Sequence, residues 1–191
     1  HQIPVIAPFN GDLHTGYPHS SPVTYGQGEV DGHRAFAANW VNVSYFGSGS
    51  DLRLNSFQMV LIERADRGVG DFDIEFNYDR ILWDHYAEAG YSNGTGIPGT
   101  YYIVEGSRQP GAFIDSNPTG LVHRRLNSYV DGRLVFGVDG GVPGSSVDDA
   151  LGISTSDITG PPIYVEEDSV ITGLDPNSDS DLNGWDLTNF N

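Results

Sequence analysis

Hydrophobic and polar positions alternate most clearly between residues 54 and 83. Phe57-Gln58-Met59-Val60-Leu61-Ile62-Glu63-Arg64 is a short apolar run of the kind that forms a buried strand. Beyond it, Phe72, Ile74, Phe76 and Tyr78 take every second position, with Asp71, Asp73, Glu75 and Asn77 between them. A period of two sends these sets to opposite faces of a strand. Residues 65–70 separate the two runs, and Gly68 and Gly70 reach positive φ there without steric cost. The pattern predicts an antiparallel hairpin with one face on a core and a polar face in water.

The rest of the chain reads as sheet around that hairpin. Alternating runs at residues 23–30 and 34–43 meet at Asp31-Gly32, the strongest short-range signal for a two-residue hairpin turn. Tyr45 and Phe46 extend the second of these runs. Residues 3–9 are apolar but carry Pro4 and Pro8, which suits the edge of a sheet. Residues 10–22 read as a loop, residues 87–92 and 100–105 as short strands, and residues 132–139 as a closing strand. Residues 119–127 read as one helical turn or an irregular cover. No stretch holds a helical period, so the predicted class is all-β, in keeping with 25 glycines and 11 prolines. Past Gly140 the pattern weakens. The expected organisation is a β domain over 1–140, a linker or surface-laid segment over 141–174, and a separate motif over 175–191. Within the middle segment, residues 163–165 and 169–171 are compatible with an added hairpin across Glu166-Glu167-Asp168.

Charge changes the picture next. Nine basic residues, all arginine, face 26 acidic ones, for a net charge of −17. Such a surface repels nucleic acid and anionic lipid and attracts divalent cations. Cysteine is absent, so no disulfide or thiol chemistry is available. No apolar run approaches membrane-spanning length and no signal peptide is read at the start, so the chain reads as a mature or trimmed soluble piece.

A resemblance then emerges from several separated motifs standing in order. They are Ile6-Ala7-Pro8-Phe9, Asn39-Trp40-Val41-Asn42-Val43, residues 55–62 (NSFQMVLI), residues 70–78 (GDFDIEFNY), residues 89–94 (AGYSNG) and Leu126-Asn127-Ser128. Together, over residues 3–139, they resemble the NIDO (nidogen-like extracellular) domain, most closely its bacterial secreted versions. The resemblance implies an antiparallel β-sandwich-like extracellular domain associated with adhesion and matrix assembly, with no catalytic residues to carry over. It departs from the family in three places. The family's usual start lies upstream of Ile6. Asp12-Leu13-His14-Thr15 stands where an Asp-Val-Asp-Thr pattern is common. The segment after Trp83 is shorter than the usual Gly-rich insertion. A sheet short of its first strands would have an open edge that a partner chain could fill by strand addition.

Four groups of residues invite chemistry. Asp175, Asn177, Asp179, Asp181, Asn183 and Asp186 hold positions 1, 3, 5, 7, 9 and 12 of a twelve-residue loop, a spacing that aims alternate oxygens at one hard cation. The loop resembles the calcium loops of dockerins and thrombospondin type 3 repeats, although Ser180 stands where glycine is usual; a plain Asp-rich tail is the other reading. Asp71, Asp73 and Glu75 form an acidic stripe, read as a cation or glycosidase site or as the wet face of a strand. His14 and His19 share a loop with Asp12 but match no metal-ligand spacing. Trp83, Tyr86, Tyr91, Tyr101 and Tyr102 could stack on sugars or fill a core.

The expected function is a non-enzymatic, calcium-stabilised extracellular or cell-surface module for adhesion or assembly. Its partners would be other extracellular proteins, itself or glycans, without nucleic acid or membrane insertion. The alternatives are a filament subunit formed by strand addition, and a carbohydrate-binding module or secreted glycoside hydrolase.

Overall fold

The computed structural model describes residues 4–139 and the backbone of Val142 and Pro143. The strands are β1 (Pro4–Asn10), β2 (Leu13–His14), β3 (Thr24–Val30), β4 (His33–Tyr45), β5 (Asn55–Glu63), β6 (Phe72–Arg80), β7 (Glu88–Asn93), β8 (Tyr101–Ile103), β9 (Arg125–Leu126), β10 (Arg133–Asp139) and β11 (Val142–Pro143). One 3-10 turn, Leu121–His123, stands where a helical turn or irregular cover was expected. The predicted all-β class is what forms.

Both hairpins form as predicted. Asp31 and Gly32 have φ of 50° and 78°, the two positive angles that a primed two-residue turn requires. β4 then carries the chain on to β5, and β5 pairs antiparallel with β6. The large sheet has eight strands in the order β11-β10-β6-β5-β4-β2, with β3 also on β4 and β9 also on β10. The small sheet has the order β1-β7-β8. Long-range pairing builds both: β1 meets β7 across the whole central hairpin, and β6 meets β10.

The two sheets close on an aromatic core. Phe57, Ile74, Phe76, Tyr78, Leu134 and Phe136 project from the large sheet onto Phe9, Ala89 and Tyr91 of the small one, with Trp83 and Phe113 filling the end. Tyr91 meets Phe136 edge-on at 5.1 Å, and Phe9 meets Trp83 edge-on at 5.3 Å. These offset and edge geometries suit the ring quadrupoles. One polar bond crosses the core, where the Tyr78 hydroxyl donates to the Pro8 carbonyl oxygen at 2.7 Å. At the end of the core, Asn55 accepts from the Leu82 and Trp83 N–H groups and donates to the Trp83 carbonyl. That amide satisfies backbone that would otherwise be buried without partners.

The predicted wet face of the central hairpin is overturned. Asp71, Asp73, Glu75 and Asn77 are all buried, as are Asn39 and Gln58 on the neighbouring strands. β6 therefore has no solvent face.

Replacing Tyr78 by Phe tests the bond across the core. It removes the donor and leaves the buried Pro8 oxygen unpaired, so we expect a loss of about 1–2 kcal/mol in urea unfolding. An unchanged stability would show that the sheets are held by ring packing alone.

Candidate functional site

The register of five strands sets out the second face of the large sheet in three rows. Gly28, Ala35, Ile62, Asp73 and Gly137 are successive neighbours across β3, β4, β5, β6 and β10. The next row is Gly26, Ala37, Val60, Glu75 and Val135, and the third is Thr24, Asn39, Gln58, Asn77 and Arg133. The acidic stripe thus lies inside a sheet face whose other members, Arg133 apart, are small, apolar or amide-bearing.

Each acid on that face is paired. Asp73 accepts from Arg64 Nη1 on one oxygen at 2.7 Å and from Arg67 Nη2 on the other at 2.6 Å. Glu75 Oε1 accepts from Asn77 Nδ2 at 2.8 Å and faces Arg133 Nε at 3.3 Å. Arg133 Nε also donates to Asn77 Oδ1 at 3.1 Å, and Asn77 Nδ2 to Gln58 Oε1 at 2.8 Å. Gln58 Nε2 in turn donates to Asn39 Oδ1 at 3.3 Å. Burial pushes the Glu75 carboxyl above the usual range, against the pull of Arg133 and the Asn77 bond. A glycosidase needs two carboxyls that reach substrate, one able to give a proton and one ionised. Here both oxygens of Asp73 are occupied by guanidinium groups, so the stripe holds the sheet together and offers no such pair.

The outward face of the small sheet is of another kind. Val5 lies opposite Ser92 and Ser92 opposite Tyr101, while Ala7 lies opposite Gly90 and Gly90 opposite Ile103. Gly90 has φ of 147°, and a Cβ there would lie 2.1 Å from the Tyr102 carbonyl oxygen. Only glycine fits, and the middle strand is bare at that point. Val5 and Ala7 stand on one side and Tyr101 and Ile103 on the other, bounding an open, mostly apolar groove of about 480 Å³. Val5, Tyr101 and Ile103 are exposed. Among the described strands, β1 and β8 each pair with β7 alone. Nothing in the alternation pattern marked this groove, because its floor is a glycine and its walls come from strands distant in sequence.

The remaining candidates divide. Trp83 and Tyr91 are buried in the core and Tyr102 is half-buried, leaving Tyr86 and Tyr101 exposed on the surface. The five rings therefore form no common platform. His14 and His19 flank Tyr17, at 4.3 and 5.4 Å between ring centroids, and His14 Nδ1 accepts the Gly16 N–H. Among the described residues, no group of three or more His, Asp and Glu side chains converges as a metal site requires. The loop with Asp175, Asn177, Asp179, Asp181, Asn183 and Asp186 lies outside the described residues.

Two substitutions test the buried network. Arg133→Met strands the Glu75 charge and is expected to cost about 3–5 kcal/mol. Glu75→Gln addresses the pH dependence. A carboxyl whose pKa rises on folding stabilises the fold below its unfolded pKa and ceases to do so as pH climbs through the folded value. Relative to Glu75→Gln, the natural protein should therefore lose stability in urea unfolding as pH rises above the ordinary carboxyl range. A difference that stays constant as pH rises would remove this account of Glu75.

Comparison with known proteins places this architecture. Residues 22–140 match the nidogen-like domain. The match begins after β2, yet β1 completes the small sheet by pairing with β7. The chain is 28% identical over 167 residues to alpha-tectorin of Gallus gallus, covering 71% of this chain and 7% of that protein. It thus spans a small fraction of that relative's length. No solved structure matches. With well over half of its length matched and an all-β sandwich to carry the match, the protein belongs to the nidogen-like domain family, a family of extracellular modules.

Proposed function

We propose that the protein is a calcium-stabilised extracellular module for adhesion or assembly, binding other extracellular proteins or copies of itself through the small sheet. The observation that carries this reading is the groove between Val5 and Ile103, an exposed apolar surface on a sheet with which no other described strand pairs. Binding by surface also fits a fold whose buried carboxylates are engaged by arginine. Calcium enters through the loop at Asp175, Asn177, Asp179, Asp181, Asn183 and Asp186, in a chain of net charge −17 that gains from a bound cation. The bacterial secreted type of the family remains our reading of the motifs.

A second reading, assembly into a filament by strand addition, draws on the difference between the two edges. β1 contains Pro4 and Pro8, which have no N–H to offer an incoming strand. β8 contains no proline, and Tyr101 and Ile103 are exposed on it. The accepting edge in this reading is β8.

Light scattering after gel filtration, in millimolar calcium and in excess EGTA, tests both readings. We expect assembly in calcium and smaller species in EGTA. Ile103→Lys should remain monomeric in both with an unchanged unfolding midpoint, since the side chain is exposed. A natural protein that is monomeric in every condition would end the self-assembly reading and leave a heterologous partner to be sought.

A further inference from the structure

A turn just before β7 holds two bulky residues where glycine or asparagine is the usual choice. The Ala87 N–H donates to the Asp84 carbonyl oxygen, and between them His85 and Tyr86 have φ of 30° and 62°. The turn at Asp31-Gly32 meets the same demand for two positive angles with a glycine. A bulky side chain in that region is strained, and the strain persists only where the surroundings impose it. Here they do. Asp84 is buried and accepts the Gly111 and Phe113 N–H groups, while Ala87 is buried on the other side of the turn. The His85 ring stands against Tyr45 at 4.2 Å and Trp83 at 5.5 Å. Tyr86 is the residue that this arrangement displays. It is 67% exposed and makes no hydrogen bond, ion pair or ring contact with the described residues.

We propose that Tyr86 is the group that enters the small-sheet groove of a second copy of the chain, an inference that rests on the reading of that groove as a self-binding surface. β1 and β8 flank β7, so Val5 stands roughly 10 Å from Ile103 across the groove, room for one ring between them. Over Gly90 the floor carries no side chain, and a ring can rest on the backbone of the middle strand. Val5, Tyr101 and Ile103 offer that ring apolar and aromatic surface, while Asn10 and Ser92 in the same lining offer oxygen to its hydroxyl. Such a lining selects an apolar body with one polar tip, and tyrosine has both. The turn fixes the backbone of Tyr86 beforehand, which leaves little to order on binding. Ring and groove are separate patches, so each copy offers one of each and copies add head to tail.

Two variants of the full chain and their mixture test this by light scattering after gel filtration in millimolar calcium. Tyr86→Gly removes the ring and relieves the positive φ. It should elute at the mass of one chain, with a urea midpoint no lower than that of the natural protein. Ile103→Lys blocks the groove and keeps the ring, so it too should be monomeric. An equimolar mixture of the two should give a two-chain species, because one variant supplies the groove and the other the ring. Tyr86→Gly that assembles as the natural protein does would overturn the inference and leave the groove reading standing. A lowered midpoint would assign Tyr86 to the fold and overturn it as well, as would a mixture that stays monomeric. Assembly that Ile103→Lys leaves intact would end the groove reading itself, and this inference with it.

Discussion

A strand with charged residues on one side and rings on the other has to dispose of its charge inside the protein when both sides are buried. β6 is that strand. Its carboxylates would each cost several kcal/mol if left alone in a low-dielectric interior. The fold answers with arginines from three directions: Arg64 at the end of β5, Arg67 in the following turn and Arg133 at the start of β10. The ion pairs also pin the register. A slip of one residue would carry Asp73 and Glu75 into the aromatic core and send Ile74 and Phe76 to the arginines. Pairing of β5, β6 and β10 is thus specified twice, by rings on one face and by charge on the other.

This doubling explains what could and could not be read from the residues alone. Phe72, Ile74, Phe76 and Tyr78 announced a strand and its core face, and Asp31-Gly32 announced a hairpin, because both signals are local. Asp71, Asp73, Glu75 and Asn77 looked like a wet face, because alternation distinguishes two faces without saying that either is in water. Part of the missing information was long-range: Arg64 and Arg67 reach Asp73 from the hairpin's own turn, but only the pairing of Asn77 with Arg133 brings a cation to Glu75. One clue was present in composition. All the cations are arginine, whose planar, weakly hydrated head suits buried pairs better than lysine does. The groove on the small sheet left no comparable trace, since Val5, Gly90 and Ile103 meet only after β1, β7 and β8 have assembled.

The two outer faces of the sandwich are consequently unlike. One is dry, ionic and built on small residues, and its members serve the integrity of the fold. The other is open and apolar beside strands that pair, among those described, with β7 alone, and prolines blunt β1 while β8 carries none. An extracellular module of the nidogen-like family needs a stable body and a surface to offer. In the reading proposed above the two tasks fall to different sheets, so variation on the small sheet need not disturb the charges buried in the large one.

The pairing of β1 with β7 also dictates the order of events as the chain is made. Residues 4–10 have no strand partner until residues 88–93 exist, and the closing pair of β6 with β10 waits for residue 133 onward. Contacts so distant in sequence lower the folding rate, because loop closure must be met before any pairing rewards it. No disulfide is available to hold a partly formed intermediate. The first strand is therefore synthesised long before it can be used. The domain can thus complete itself only late, once residues 133–138 are present to pair with β6.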